Sequence, residues 1–244
     1  MQSVVKCLPL LFLGALVGCE ESTGSDAVRT KGIYAEMWAE SLTENQTEVE
    51  VELRVGGDDG TLLELVGGDE LIARSGGETK KLSPVRKTLY RANLGVNGGI
   101  ITVDFDRPEG VSAQNNIIEL PSDFSLSSPS AGATFPYSTA KNIDITWTNE
   151  SVISGDFNYW VDMDCEGETF KKVFDSSSSV VSGTISISVD DIIAGGPYLP
   201  KYTQGCDATL FVEIETRGSI NTDFGEGGIF YGTIRRSVNF TITE

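Results

Sequence analysis

The feature that most constrains this chain is a strict two-residue alternation around residue 50. Val49, Val51, Leu53 and Val55 interleave with Glu48, Glu50, Glu52 and Arg54. Successive side chains of a strand point to opposite faces, so this run puts one apolar row inward and one charged row outward. The signature recurs in Ile143, Ile145 and Trp147, in Ile185, Ile187 and Val189, and in Leu210, Val212 and Ile214. No stretch carries an apolar stripe of helical period over four turns. Such a chain buries its apolar rows by packing sheet against sheet.

Short strands follow one another between turn signals. In the first half they are expected at Ile33–Glu40, Val49–Val55, Leu62–Val66, Leu71–Ala73, Thr88–Ala92, Ile100–Phe105 and Asn116–Leu120. Gly56-Gly57-Asp58-Asp59-Gly60 and Gly67-Gly68-Asp69 break the chain between them. Pro121 and Pro129 stiffen a junction, because proline fixes φ and removes a backbone donor. The second half adds Ile143–Thr148, Phe157–Cys165, Thr169–Phe174, Thr184–Val189, Ala208–Thr216 and Ile229–Thr243. Strands at this spacing indicate an all-β fold with two tandem antiparallel β-sandwich domains, at 31–122 and 123–244.

The chain holds 18 Lys and Arg against 36 Asp and Glu, a formal charge of −18. This argues against nucleic acid as a partner, whose phosphates are neutralised by basic side chains. It argues equally against a polybasic contact with membrane lipids. There is no histidine anywhere, so the commonest general base and metal ligand is missing.

Met1–Lys6 carries one positive charge, and Cys7–Val17 is an almost unbroken apolar run ending in Gly18 and Cys19. The run has eleven residues, against roughly 17–25 for a membrane-spanning helix. A basic start, a short apolar core and small residues before a cut make a secretory signal. Leu16-Val17-Gly18-Cys19 resembles the lipobox of bacterial lipoproteins. The resemblance implies cleavage before Cys19, removal of residues 1–18 and lipidation (palmitate among the chains) of Cys19. Residues 19–30, beginning Glu20-Glu21-Ser22-Thr23-Gly24-Ser25-Asp26, then read as a flexible tether. Glu20, in the place where an aspartate would favour inner-membrane retention, implies outer-membrane anchoring in a Gram-negative cell envelope.

With Cys7 removed and Cys19 lipidated, Cys165 and Cys206 remain. In an oxidising compartment the pair reads as a disulfide, two buried thiols being the alternative. The second half resembles immunoglobulin-like or fibronectin-III-like sandwiches through Pro129, Gly132, Phe135-Pro136 and Ile143-x-Ile145-x-Trp147. In that fold the ends bearing Cys165 and Cys206 belong to antiparallel neighbours of one sheet, unlike the inter-sheet bridge of antibody domains.

Residues that could carry chemistry are few. Asp104 with Asp106, and Asp162 with Asp164, are the carboxylate pairs a glycosidase-like hydrolase would need. Each pair also suits a solvated outward strand face. Asp58 and Asp59 offer a calcium turn without the spacing of a known loop. Lys80, Lys81, Arg86, Lys87 and Arg91 form the basic concentration, suited to an anionic contact or to neutralising nearby acids. Tyr34 with Trp38, and Tyr159 with Trp160, are candidate sugar-stacking platforms. The expectation is a lipid-anchored, non-enzymatic binding or scaffold module without metal or cofactor. Its partners are the membrane and an envelope protein or glycan. A carboxylate hydrolase and a calcium-stabilised adhesin are the alternatives.

Overall fold

The computed structural model describes residues 22–43, 45–96, 98–140, 142–153, 155–176, 180–194, 196, 201 and 205–244. Residues 1–21, which include the expected signal segment and Cys19, lie outside the described residues. The first half contains β1 (Ser22–Gly24), β2 (Ile33–Thr43), β3 (Gln46–Val55), β4 (Thr61–Glu64) and β5 (Glu70–Ser75). It continues through β6 (Glu78–Lys81), β7 (Ser83–Arg86), β8 (Leu89–Leu94), β9 (Gly99–Asp106) and β10 (Ala113–Leu120). The second half contains β11 (Phe124–Ser128), β12 (Ala133–Pro136), β13 (Asn142–Ile153), β14 (Asp156–Cys165) and β15 (Glu168–Ser176). After β16 (Val180–Ser188) comes the one-turn helix α1 (Val189–Ile193), then β17 (Cys206–Arg217) and β18 (Gly228–Thr243).

The alternation sorts side chains as the period requires. Val49, Val51 and Leu53 are fully buried, and so are Leu210, Val212 and Ile214. Two cores result. The first lies beneath the four-stranded sheet β10-β9-β5-β6, and the second beneath the three-stranded sheet β11-β13-β16. Both sandwiches share their other layer. A single sheet runs β1-β4-β3-β2-β18-β17-β14-β15, with β7, β8 and β12 attached to it.

The shared strand is β18. Its first half pairs in parallel with β2, Gly228–Ile234 against Ala35–Ser41. Its stretch Tyr231–Ile242 pairs antiparallel with β17, and its last residues pair in parallel with β12. Sixteen residues at about 3.3 Å each make β18 a spine of about 50 Å.

Two sequence expectations change here. The segment 123–244 is not a self-contained second domain. The hairpin between β17 and β18 turns back into the first half, where Phe224 and Phe230 join the first core. Phe224 stacks on Phe105 at 5.8 Å between ring centroids. Backbone bonds tie Ser219 to Ile117 in both directions, and the N–H of Asn221 donates to Oδ1 of the fully buried Asn116. Gly232 permits this closeness, because a Cβ there would sit 2.8 Å from Ile118 and 2.9 Å from Leu120 of β10.

Nor is the segment 19–30 a free tether over its described part. Ser22–Gly24 pairs in parallel with Leu62–Glu64, and Ser25 Oγ accepts from the Val66 N–H at 3.0 Å. Arg107 donates to the carbonyls of Val28 (2.8 Å) and Ser25 (2.6 Å) and to Thr30 Oγ1 (3.1 Å). Its Nε lies 3.0 Å from Asp69 Oδ2, both side chains being almost fully buried. Small polar residues carry no periodicity, so their place is set by partners distant in sequence.

Candidate recognition face

The inner face of the shared sheet is consumed by the two cores, leaving its outer face uninterrupted across both sandwiches. Outward positions of β2 and β18 put Trp38 directly opposite Tyr231. Three outward positions further along β18, Ser237 begins a cross-strand row through Phe211 and Trp160 to Val173. Six residues of strand separate the two aromatic rows, about 20 Å. Trp160 and Phe211 stack with centroids 5.1 Å apart and planes 13° apart. Val173, at the end of the row on edge strand β15, is 54% exposed.

Arg235 stands between the rows. It donates to Glu213 through Nε (3.0 Å) and Nη2 (2.6 Å), pairs with Glu40 at 3.2 Å, and lies 5.2 Å from the Trp160 centroid. Lys171 reaches the same ring at 4.9 Å, and Arg217 lies 5.2 Å from the Tyr231 ring. Each cation–π contact adds about 0.5–1 kcal/mol at an exposed site. Together they hold long side chains in fixed positions. Like charges also face one another on this surface, Glu40 opposite Glu48 and Glu215 opposite Asp156. Burial chiefly raises the Glu215 pKa, with Glu213 and Asp156 adding to it. Glu48 is raised for the same first reason, with Glu50 and Glu40 acting against Arg91.

The other candidate residues fall elsewhere. Tyr159 turns to the core side, packed between Phe157 and Phe174. Trp160 is outward but is not an open platform, because Phe211 from β17 and Lys171 from β15 take its ring from both flanking strands. Tyr34 and Trp38 are half-buried on the outer face. Asp104 is buried, paired with Arg74 and accepting from the Asn115 N–H, while Asp106 accepts from Gln114. Asp162 and Asp164 line an open depression of about 490 Å³ with Asp207, Thr169 and Lys171. Asp164 caps the following turn through the Gly167 N–H, at 2.8 Å. The two carboxylate pairs thus lie on different sheets.

Each member of the basic concentration has an acidic partner. Lys80 pairs with Glu78, Lys81 with Glu70, Arg86 with Glu52, Lys87 with Glu64 and Arg91 with Glu50. Asp58 caps its own turn by accepting from the Asp59 N–H. Among the described residues no three His, Cys, Asp or Glu side chains cluster as a metal site would require. Cys165 and Cys206 form a disulfide between antiparallel neighbours of one sheet, one step beyond the Asp164–Asp207 pair. Among the described residues no helix is long and apolar enough to cross a membrane.

Phe211, Tyr231 and Arg235 were not singled out from sequence, although the signal existed. Phe211 and Tyr231 are large apolar residues in the outward phase of their strands, where polar residues belong.

No protein-family model matches the chain, and no curated protein does. Among solved structures, a cytokine receptor complex is similar at 11% identity, covering 83% of this chain and 94% of that one, with a TM-score of 0.29. The adhesin InvE of Yersinia pseudotuberculosis is similar at 15% identity, over 84% of this chain and 58% of that one, with a TM-score of 0.22. A DUF3823 family protein from Bacteroides ovatus is similar at 12% identity, over 84% and 98%, with a TM-score of 0.25. Likenesses at these TM-scores carry no functional argument.

Proposed function

We propose that this is a lipid-anchored, non-enzymatic binding module of the bacterial cell envelope, taking a partner protein on the outer face of its shared sheet. The observation that carries the reading is the pair of aromatic rows, Trp38–Tyr231 and Trp160–Phe211, with Arg235 between them on that face. Trp, Tyr and Arg are the residues that dominate binding energy at protein interfaces. Here Trp160 and Phe211 are held by stacking, Tyr231 by Arg217 and Arg235 by ion pairs, which lowers the entropy lost when a partner orders them. A protein partner is favoured over a glycan because the ring of Trp160 is already engaged by Phe211, Lys171 and Arg235. Each carboxylate pair has a member in a structural role, Asp104 held by Arg74 and the Asn115 N–H and Asp164 by the Gly167 N–H, which favours binding over hydrolysis. The anchor at Cys19 rests on the lipobox resemblance.

The test is cross-linking and pull-down from intact envelope with the full protein and a Trp38→Ala, Trp160→Ala double variant. The reading expects a discrete protein partner with the wild type, reduced at least about tenfold in the variant, since each hot-spot truncation costs on the order of 1–2 kcal/mol. Equal recovery with both proteins would overturn it.

A further inference from the structure

The start of the fold fixes how far the body can stand from a lipid anchor at Cys19. β1 begins at Ser22, so only Glu20 and Glu21 separate that strand from Cys19. Three peptide steps reach about 11 Å when fully extended. The leash is short, and Arg107, Asp69 and Ser25 keep it from lengthening by peeling.

Ser22 sits at one defined end of the molecule. It pairs with Leu62, which pairs with Arg54, two residues from the Gly56–Gly60 hairpin. The Gly56 N–H donates to Gly32, and the Ala35 N–H to Gly227, at the start of β18. Thr30 Oγ1 donates to the carbonyl of Val111, bringing in the β9–β10 loop. Val111 is 59% exposed there. The opposite end of β18 carries the Cys165–Cys206 disulfide and the Tyr137–Thr243 contact.

We infer that the end formed by the Gly56–Gly60 hairpin, the Arg29–Lys31 turn and the Val111 loop is seated against the lipid bilayer. β18 then rises from the membrane as a spine, and the disulfide end is held about 50 Å away. The occupant of this surface is a bilayer, identified by the length of chain between Cys19 and Ser22. Asp26, Asp58, Asp59 and Glu109 at this end outnumber the exposed Arg29 and Lys31, so the covalent leash, not headgroup attraction, enforces the contact.

This inference rests on the anchor reading, and the test separates the two. The lipidated full-length protein is placed in phosphatidylethanolamine–phosphatidylglycerol vesicles carrying a headgroup-linked quencher. One dye is attached at Asp59→Cys or, separately, at Thr169→Cys, both exposed positions. The native Cys165 and Cys206 are bonded to each other and take no label. The expected result is quenching about threefold or more stronger at position 59 than at 169, given a spine of about 50 Å. A flexible spacer inserted between Glu21 and Ser22 reduces the quenching at 59. Protein that floats with the vesicles but quenches equally at both positions, or more at 169, overturns the inference and leaves the anchor standing. Protein that does not float overturns the anchor and the seating together.

Discussion

Tyr231 of β18 stands directly opposite Trp38 of β2, a residue from the start of the fold paired in parallel with one from its end. That pairing joins two sandwiches into one sheet and gives the molecule a continuous outer face. It also makes the halves depend on each other.

Unfolding should therefore be one cooperative transition. Phe224→Ala removes a fully buried ring from the first core. It should lower the stability of the whole chain by about 3–5 kcal/mol. Residues 22–122 expressed alone lack β18, Phe224 and Phe230, and should give no cooperative melt. Two separate transitions in the intact protein would contradict this dependence.

The Cys165–Cys206 bridge spans a sequence separation of 41. Cys165→Ala with Cys206→Ala should cost about 3–4 kcal/mol in the chain-entropy description. Proteolysis of the double variant should begin between residues 166 and 205 while the first half stays resistant. Denaturant titration with and without reductant supplies the stability difference.

Arg107 and Asp69 form an ion pair almost wholly out of water. Arg107→Ala leaves a buried carboxylate unpaired and should cost about 3–5 kcal/mol. The double change Arg107→Met, Asp69→Leu should recover much of that loss. Segment 22–30 should become the first site of proteolytic nicking in the single variant.

Glu215 predicts a pH-dependent effect. Its folded-state carboxyl is raised by burial, Glu213 and Asp156, so the folded chain takes up this proton more readily than the unfolded chain does. The charged form is a cost at neutral pH, relieved as pH falls through the folded value. Glu215→Gln should stabilise the protein at pH 7 by a few tenths of a kcal/mol, about the size of an exposed cross-strand charge pair. The gain should vanish in acid. Melting curves across pH check both parts.

The strands and their buried rows were legible because period-two alternation is local. Val49, Val51 and Leu53, and Leu210, Val212 and Ile214, read correctly from spacing alone. The disulfide was legible from cysteine count and from the oxidising compartment that the lipobox resemblance implies. The parallel pairing of β2 with β18 was not, since register between strands so distant in sequence leaves no local trace. The Phe224 hairpin escaped for the same reason. Ser22–Thr30 looked like a linker because its order comes from Arg107, Val66 and Val111, not from its own residues. Of the recognition face, Trp38 and Trp160 were visible, whereas Phe211 and Tyr231 needed the strand phase to be read for outward apolar residues.

The most direct test of the outer face as the recognition surface is site-specific photo-cross-linking in intact envelope. A photoreactive residue is placed at Ser237 or Val173, both in the Trp160 row. Ile100 and Ile117 serve as controls, exposed apolar positions at 58% and 37% on β9 and β10 of the separate four-stranded sheet. The account predicts one discrete protein adduct from Ser237 and Val173 and none from Ile100 and Ile117. Adducts at the control positions with none at Ser237 or Val173 would contradict it.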